Sequence, residues 1–402
     1  MNKSDYPIDP ASLEAFVEGV GVRVWEERLA ELGAAAAYPT RVGRATLQRH
    51  AIELTIERWR KPGRNHREPS VAERRITALA ADASRMFETL TARGQMRLRS
   101  ALQAATLSVN TLVPVFHLLR TAALQRNRGF DVGFTGLEDD TRFDLLLSRD
   151  GHEAEIVCDV VSAEEGRGVH RNAWSCLCDR IDPELQLWLA SHPGRYLLKL
   201  TLPRGLKDLP EGDALGALHG RITAMLSTQR RADHDEAAVL RLDPLMLAAA
   251  QADELGLMPR LRNEFGPEAH LAVTQAERSL FVMAARAGQE NEVAVAVRRR
   301  MATVAPTRLT GSRPGILAMF IEDTDRAEWR LMRERLELEG EARQFLTNPD
   351  ARSVVAVTCA SRVEMFGLPT PDAAPDGEVR FRNPAHPAAK AAALAPAVSS
   401  SL

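Results

Sequence analysis

Residues 129–174 read GFDVGFTGLEDDTRFDLLLSRDGHEAEIVCDVVSAEEGRGVHRNAW. Three short runs, 130–134, 142–148 and 154–161, are rich in apolar and β-branched residues and are bounded by Gly and Asp, so they read as three strands. Between the second and third, Arg149-Asp150-Gly151-His152 places Asp-Gly where a two-residue hairpin needs two positive φ angles. The third run leads into a polar turn, 162–171, in which Ser162 and Glu165 have the spacing of a helix capping box. Gly166 and Gly168 in the same turn permit close backbone approach. A helix is expected over 172–191, with Trp174, Leu177, Ile181, Leu185 and Trp188 on one face.

Outward from this stretch the pattern alternates. Residues 1–128 read as helices, opening with the stripe Leu13, Phe16, Val17, Val20 and Val24 behind Asp9-Pro10. The run 57–75 (ERWRKPGRNHREPSVAERR) is the most basic in the chain. It suits either phosphate contact or a solvated linker between helices. An apolar helix over 113–125 precedes the first strand. Beyond 191, strands are expected at 195–202, 279–285, 315–321 and 353–359. Helices are expected at 291–304 and, unbroken, at 324–346. Residues 203–266 read as a helical insertion, with helices at 214–226 and 233–257. Residues 367–402, rich in Pro, Ala and Ser, read as a disordered tail. Short apolar strands alternating with helices predict an α/β fold: a mixed central sheet with flanking helices. The expected organisation is a helical region over 1–110, an α/β core over 111–366 carrying the insertion, and the tail.

Composition narrows the function classes. A net charge of −2 over 402 residues excludes a general polyelectrolyte binder, so any nucleic-acid surface is a local patch. Only Lys3, Lys61, Lys199, Lys207 and Lys390 are available to a lysine-dependent mechanism. Cys158, Cys176, Cys178 and Cys359 lack zinc-site spacing and read as reduced thiols of a cytoplasmic protein. No apolar run reaches the ~18–20 residues that span a bilayer, and the first residues carry no apolar signal region. P-loop, GxGxxG, HExxH and GxSxG motifs are absent from the sequence.

The third strand carries unusual chemistry. Alternation puts Glu153, Glu155, Val157 and Asp159 on one face, opposite Ala154, Ile156, Cys158 and Val160. Carboxylates on such a strand face water, pair with arginine, or bind a cation. With Asp144 from the neighbouring strand, Glu155 and Asp159 form a candidate oxygen-ligand set for Mg²⁺, which can activate water for phosphodiester cleavage. Arg167, His170 and Arg171, just past the strand, are candidate phosphate-binding groups. The alternative is a set of Arg–carboxylate pairs that fix a loop.

Helix 113–125, the hairpin bearing Asp144, and Cys158 followed by Ser162, Gly166, Arg167 and an entering helix together resemble the PD-(D/E)XK, restriction-endonuclease-like superfamily. The resemblance covers about 110–360 and implies a metal-dependent nuclease core in which Asp144 is the family's Asp. In the register set by Cys158, Ser162, Gly166 and Arg167, the family's acid falls on Val157 and its lysine on Asp159. A register shifted by two makes Glu155 the acid and puts Val157 at the lysine. Two completions remain open. Arg167 or His170 supplies the missing charge, or Lys199 points in from the next strand. The resemblance therefore implies a protein that acts on or binds nucleic acid, either as a nuclease with a rearranged site or as an inactive nuclease-fold module that binds nucleic acid or protein.

Overall fold

The computed structural model describes residues 7–61, 67–207, 214–245, 254–266 and 268–401. Residues 62–66 of the basic run lie outside that set. The fold is α/β, with two mixed sheets and flanking helices, and it divides into two compact units. The first comprises residues 1–35, 47–163 and 294–402, and the second comprises 36–46 and 164–293.

In the first unit, Asp9 accepts hydrogen bonds at 3.1 Å from the Ala11 and Ser12 amides and starts helix Pro10–Val20. Its stripe Leu13, Phe16, Val17 and Val20 is fully buried, as the spacing predicts. Ser70 and Glu73 form a reciprocal capping box at the start of helix Val71–Thr89. The apolar helix Val113–Asn127 then packs into the same core as the sheet.

That sheet has six strands: β1 (Asp131–Gly133), β2 (Leu145–Arg149), β3 (His152–Ser162), then, after the second unit has been threaded, β9 (Gly315–Glu322), β10 (Val354–Ser361) and β11 (Val379–Arg382). Their spatial order is β1-β2-β3-β9-β10-β11. β1–β2, β2–β3 and β10–β11 are antiparallel, whereas β3–β9 and β9–β10 are parallel. Asp150 and Gly151 both have positive φ, +50° and +73°, as the Asp-Gly hairpin requires. Every residue of β9 and β10 is buried, which accounts for their continuous apolar sequence.

The second unit holds a five-stranded sheet: β4 (Arg195–Leu202), β5 (Ala232–His234), β6 (Val239–Pro244), β7 (His270–Ala276) and β8 (Ser279–Ala287), in the order β5-β6-β4-β8-β7. Helices Arg171–Ser191 and Ala214–Ser227 contribute to its core through Leu177, Ile181, Leu185 and Ile222.

Four expectations need correction. The inserted segment is 164–293 rather than 203–266, and it is not purely helical. Residues 239–244 form a strand because Leu240 and Leu242 alternate with exposed neighbours, a period of two. The helix expected over 324–346 is two, Arg326–Glu334 and Glu337–Leu346, broken at Leu336, whose φ is +57°. The segment after 367 is ordered: β11 pairs with β10, and Ala397 and Val398 are fully buried. Alanine-rich sequence hides this, because small side chains bury well while showing little periodicity.

One buried polar group ties helix Val113–Asn127 to β9. The His117 ring lies 2.8 Å from the Ala318 carbonyl oxygen through Nε2. Burial holds this imidazole down at about 4, so the folded protein keeps it neutral. Its stabilisation is complete above the unfolded value of about 6.5 and is lost as pH falls toward 4, about 3 kcal/mol in all. Chemical denaturation at pH 7 and pH 4 is expected to show this loss. His117→Gln, which keeps an N–H donor, should flatten it.

Candidate functional site

β3 brings the predicted carboxylates together. Leu145 pairs with Ile156 and Leu147 with Ala154 on the helix-covered face, so Leu146, Glu155, Ser148 and Glu153 take the other. Asp144 continues the ladder, its amide donating to the Ile156 carbonyl at 2.9 Å. Asp144, Glu155 and Asp159 therefore share one face, with the fully buried Val157 among them. Helix Val293–Arg308 and the loop that follows it supply most of the polar partners of these groups.

Each of the six carboxylate oxygens has a protein donor. Asp144 accepts the Cys158 amide at 2.7 Å and the Arg308 guanidinium at 2.8 Å, on different oxygens. Asp159 is held by both edges of Arg300, at 2.5 and 3.0 Å. Glu155, 0% exposed, accepts the Thr310 amide at 2.9 Å and the Thr310 hydroxyl. Arg313 lies 3.8 Å from Glu155 and bonds Glu153 at 2.6 Å. Arg308 lies eight positions beyond Arg300, about 12 Å along a helix, which matches the two acids to two distinct arginines. Burial pushes the Asp144 carboxyl above its usual range, and Asp159 adds to the effect, while Arg308 and the Cys158 amide pull it back.

This donor set does not fit Mg²⁺. The oxygens point to separate protein donors rather than to one centre. Among the described residues no three His, Cys, Asp or Glu side chains are grouped to hold a metal ion.

The remaining predicted residues lie in the second unit. Arg167 is 4% exposed and pairs with Glu164, whose other oxygen accepts the Arg171 amide at 3.0 Å. The His170 amide donates to the Leu206 carbonyl at 2.8 Å. These contacts fix the turn. Gly166 serves close approach there: a Cβ would sit 2.5 Å from Val293 N and Cα. Lys199 is not on a neighbouring strand of the carboxylate sheet. It lies on β4 of the five-stranded sheet, 3.7 Å from Asp243 and over the Phe265 ring. Ser162 ends β3 directly before the short 3-10 helix Ala163–Gly166 and donates to Asp323 at 2.7 Å.

Sequence reasoning missed Arg300, Arg308, Thr310 and Arg313 as partners. It also missed a polar group at the carboxyl ends of β3, β9 and β10, a usual place for chemistry in α/β sheets. There Glu322, 6% exposed, accepts the Thr111 hydroxyl at 2.9 Å. Asp323, at φ +60°, takes Ser162 and lies 3.6 Å from Arg49. Burial raises the Glu322 carboxyl, and neighbouring Asp323 raises it further. The signal was available: polar residues directly after a continuous apolar strand.

Comparison with protein-family models, curated proteins and solved structures finds no match for this chain. No helix among the described residues is long and apolar enough to cross a membrane.

Thr310→Val strips one donor from a fully buried carboxylate and is expected to cost about 1–3 kcal/mol in chemical denaturation. An Asp144→Asn/Arg308→Gln double-mutant cycle should give a smaller coupling, about 1 kcal/mol, because both side chains are partly solvated. The pH dependence of Asp144→Asn has a definite sign. A raised carboxyl contributes most below its unfolded value and loses that contribution as pH rises through the folded one. The wild type should therefore lose ground to Asp144→Asn as pH rises from about 3.5 to about 7.

Proposed function

We propose that this protein is a nuclease-related module that binds nucleic acid without cleaving it. The frame of helix, Asp-bearing hairpin, third strand and parallel fourth strand supports the relationship. The observation that carries the inactive reading is the pairing of all six oxygens of Asp144, Glu155 and Asp159 with protein donors. A catalytic cation would have to displace Arg300 and Arg308, and Val157 offers it no ligand. Binding rests on the same arginines. Helix Val293–Arg308 and its loop carry Arg298, Arg299, Arg300, Arg308 and Arg313, and a guanidinium held by a carboxylate can exchange it for a phosphate of similar geometry. The four cysteines are free, which suits a reducing cytoplasm.

The test is a panel of labelled single- and double-stranded DNA and RNA with Mg²⁺ or Mn²⁺ present. The expected result is no cleavage, with binding that weakens as salt rises. Arg299→Ala with Arg313→Ala should lower affinity on every sequence alike and reduce the salt slope by about one for each phosphate no longer engaged. Metal-dependent cleavage that disappears in Asp144→Ala would establish the hydrolytic reading instead. Absence of any salt-sensitive binding would favour a protein partner.

A further inference from the structure

A cavity of about 540 Å³ opens between helices Val71–Thr89 and Val113–Asn127 and the segment 364–377, all within the first unit. Helix periodicity builds its walls. Arg75, Ala78, Leu79 and Asp82 follow one face of the first helix, and Arg120, Ala123, Leu124 and Asn127 one face of the second. The alanines leave the space open.

Its charge is unevenly satisfied. The three acids have protein partners. Asp82 pairs with Arg85 and Asp376 with Arg380. Glu364 accepts the Trp329 indole, the Ala374 and Ser361 amides and the Ser361 hydroxyl. The three arginines are less well matched. Arg120 donates to the Gly377 carbonyl through Nη2, while its Nη1 is buried without a hydrogen-bond partner. Arg75 reaches only the Glu364 carbonyl oxygen, at 3.2 Å. Arg74 makes no side-chain hydrogen bond or ion pair among the described residues. Burial disfavours the Arg120 charge, Glu378 and Glu364 pull the other way, and nearby Arg75 and Arg128 add to the burial effect. Three arginines, one of them with an unpartnered guanidinium nitrogen, thus line a cavity whose acids are already engaged, and an anion would complete their pairing.

We propose that this cavity binds a small organic phosphomonoester, with the phosphate against Arg120, Arg74 and Arg75. The volume exceeds what a bare phosphate needs and falls within the usual range for small-molecule sites, ~300–1,000 Å³. Leu79, Leu124 and Met365 offer apolar contact to the body of the ligand. Asp82, Asn127 and Asp376 offer polar groups for its hydroxyl or amino groups. This site is separate from the carboxylate face of β3 and does not rest on the nucleic-acid reading.

The experiment is calorimetric titration of the full chain with inorganic phosphate, AMP, glucose 6-phosphate and adenosine. At least one of the two phosphomonoesters should bind more tightly than inorganic phosphate, and adenosine should not bind. Arg120→Met should weaken that binding tenfold or more and Arg74→Ala several-fold. Arg74→Ala changes a partly exposed residue, so it decides the matter if Arg120→Met does not fold. Failure of both phosphomonoesters to bind at millimolar concentration overturns the proposal, as does binding that Arg74→Ala and folded Arg120→Met leave unchanged. Competition by a DNA or RNA oligonucleotide for the bound phosphomonoester would also overturn it, by making the cavity part of a nucleic-acid surface.

Discussion

Burying a carboxylate in the middle of a sheet obliges the chain to bring donors to it, and Glu155 imposes that condition here. An unpaired buried charge costs several kcal/mol, so the residue persists only where its oxygens are satisfied. Thr310 satisfies both through its amide and hydroxyl, while the Glu155 amide donates to the Pro314 carbonyl at 2.9 Å. These bonds clamp the loop between helix Val293–Arg308 and β9. The loop in turn sets where β9 enters, with Gly315 in register with Glu155, and β10 and β11 build outward from β9. A side chain that reads in sequence as a metal ligand is the fastening between the two halves of the sheet.

The arginine-rich, lysine-poor composition takes on structural meaning on this face. Arg300 holds both oxygens of Asp159 through a planar fork, and Arg313 lies within reach of Glu153 and Glu155. An ammonium on a flexible stem has neither the fork nor the weak hydration that make such pairing favourable in a half-buried place. On this face the strand supplies the acid, Asp159, and the covering helix supplies the cation, Arg300.

Much of the fold was legible because its signals are local. The Asp-Gly turn, the alternation along β3, the buried runs of β9 and β10 and the capped N-terminal helices each announce themselves within about ten residues. What stayed hidden is non-local or compositional. Arg300 and Arg308 are separated from β3 by the whole second unit, so no spacing rule links them to Asp159 and Asp144. The alternation of Leu240 and Leu242 is too short to outweigh the alanine-rich, helix-like sequence around it. The ordered segment after 367 is held by β11 pairing and by buried alanines rather than by a periodic apolar stripe. For the site, the sequence indicated which acids share a face. It could not indicate what faces them, and that decides between ligand and ion pair.

The electrostatics of Asp144 carry the distinction further. A carboxylate that serves a metal is kept ionised by the cation and by converging oxygen ligands that leave room for water. Asp144 has Arg308 at 2.8 Å and an amide donor at 2.7 Å, and still its burial and the neighbouring Asp159 push it above the usual carboxyl range. The surroundings thus disfavour negative charge even with a cation in contact. A divalent ion would reach those oxygens only if Arg308 and Arg300 gave them up. The arginine and threonine bonds to these carboxylates link β3, its covering helix and the loop that leads into β9.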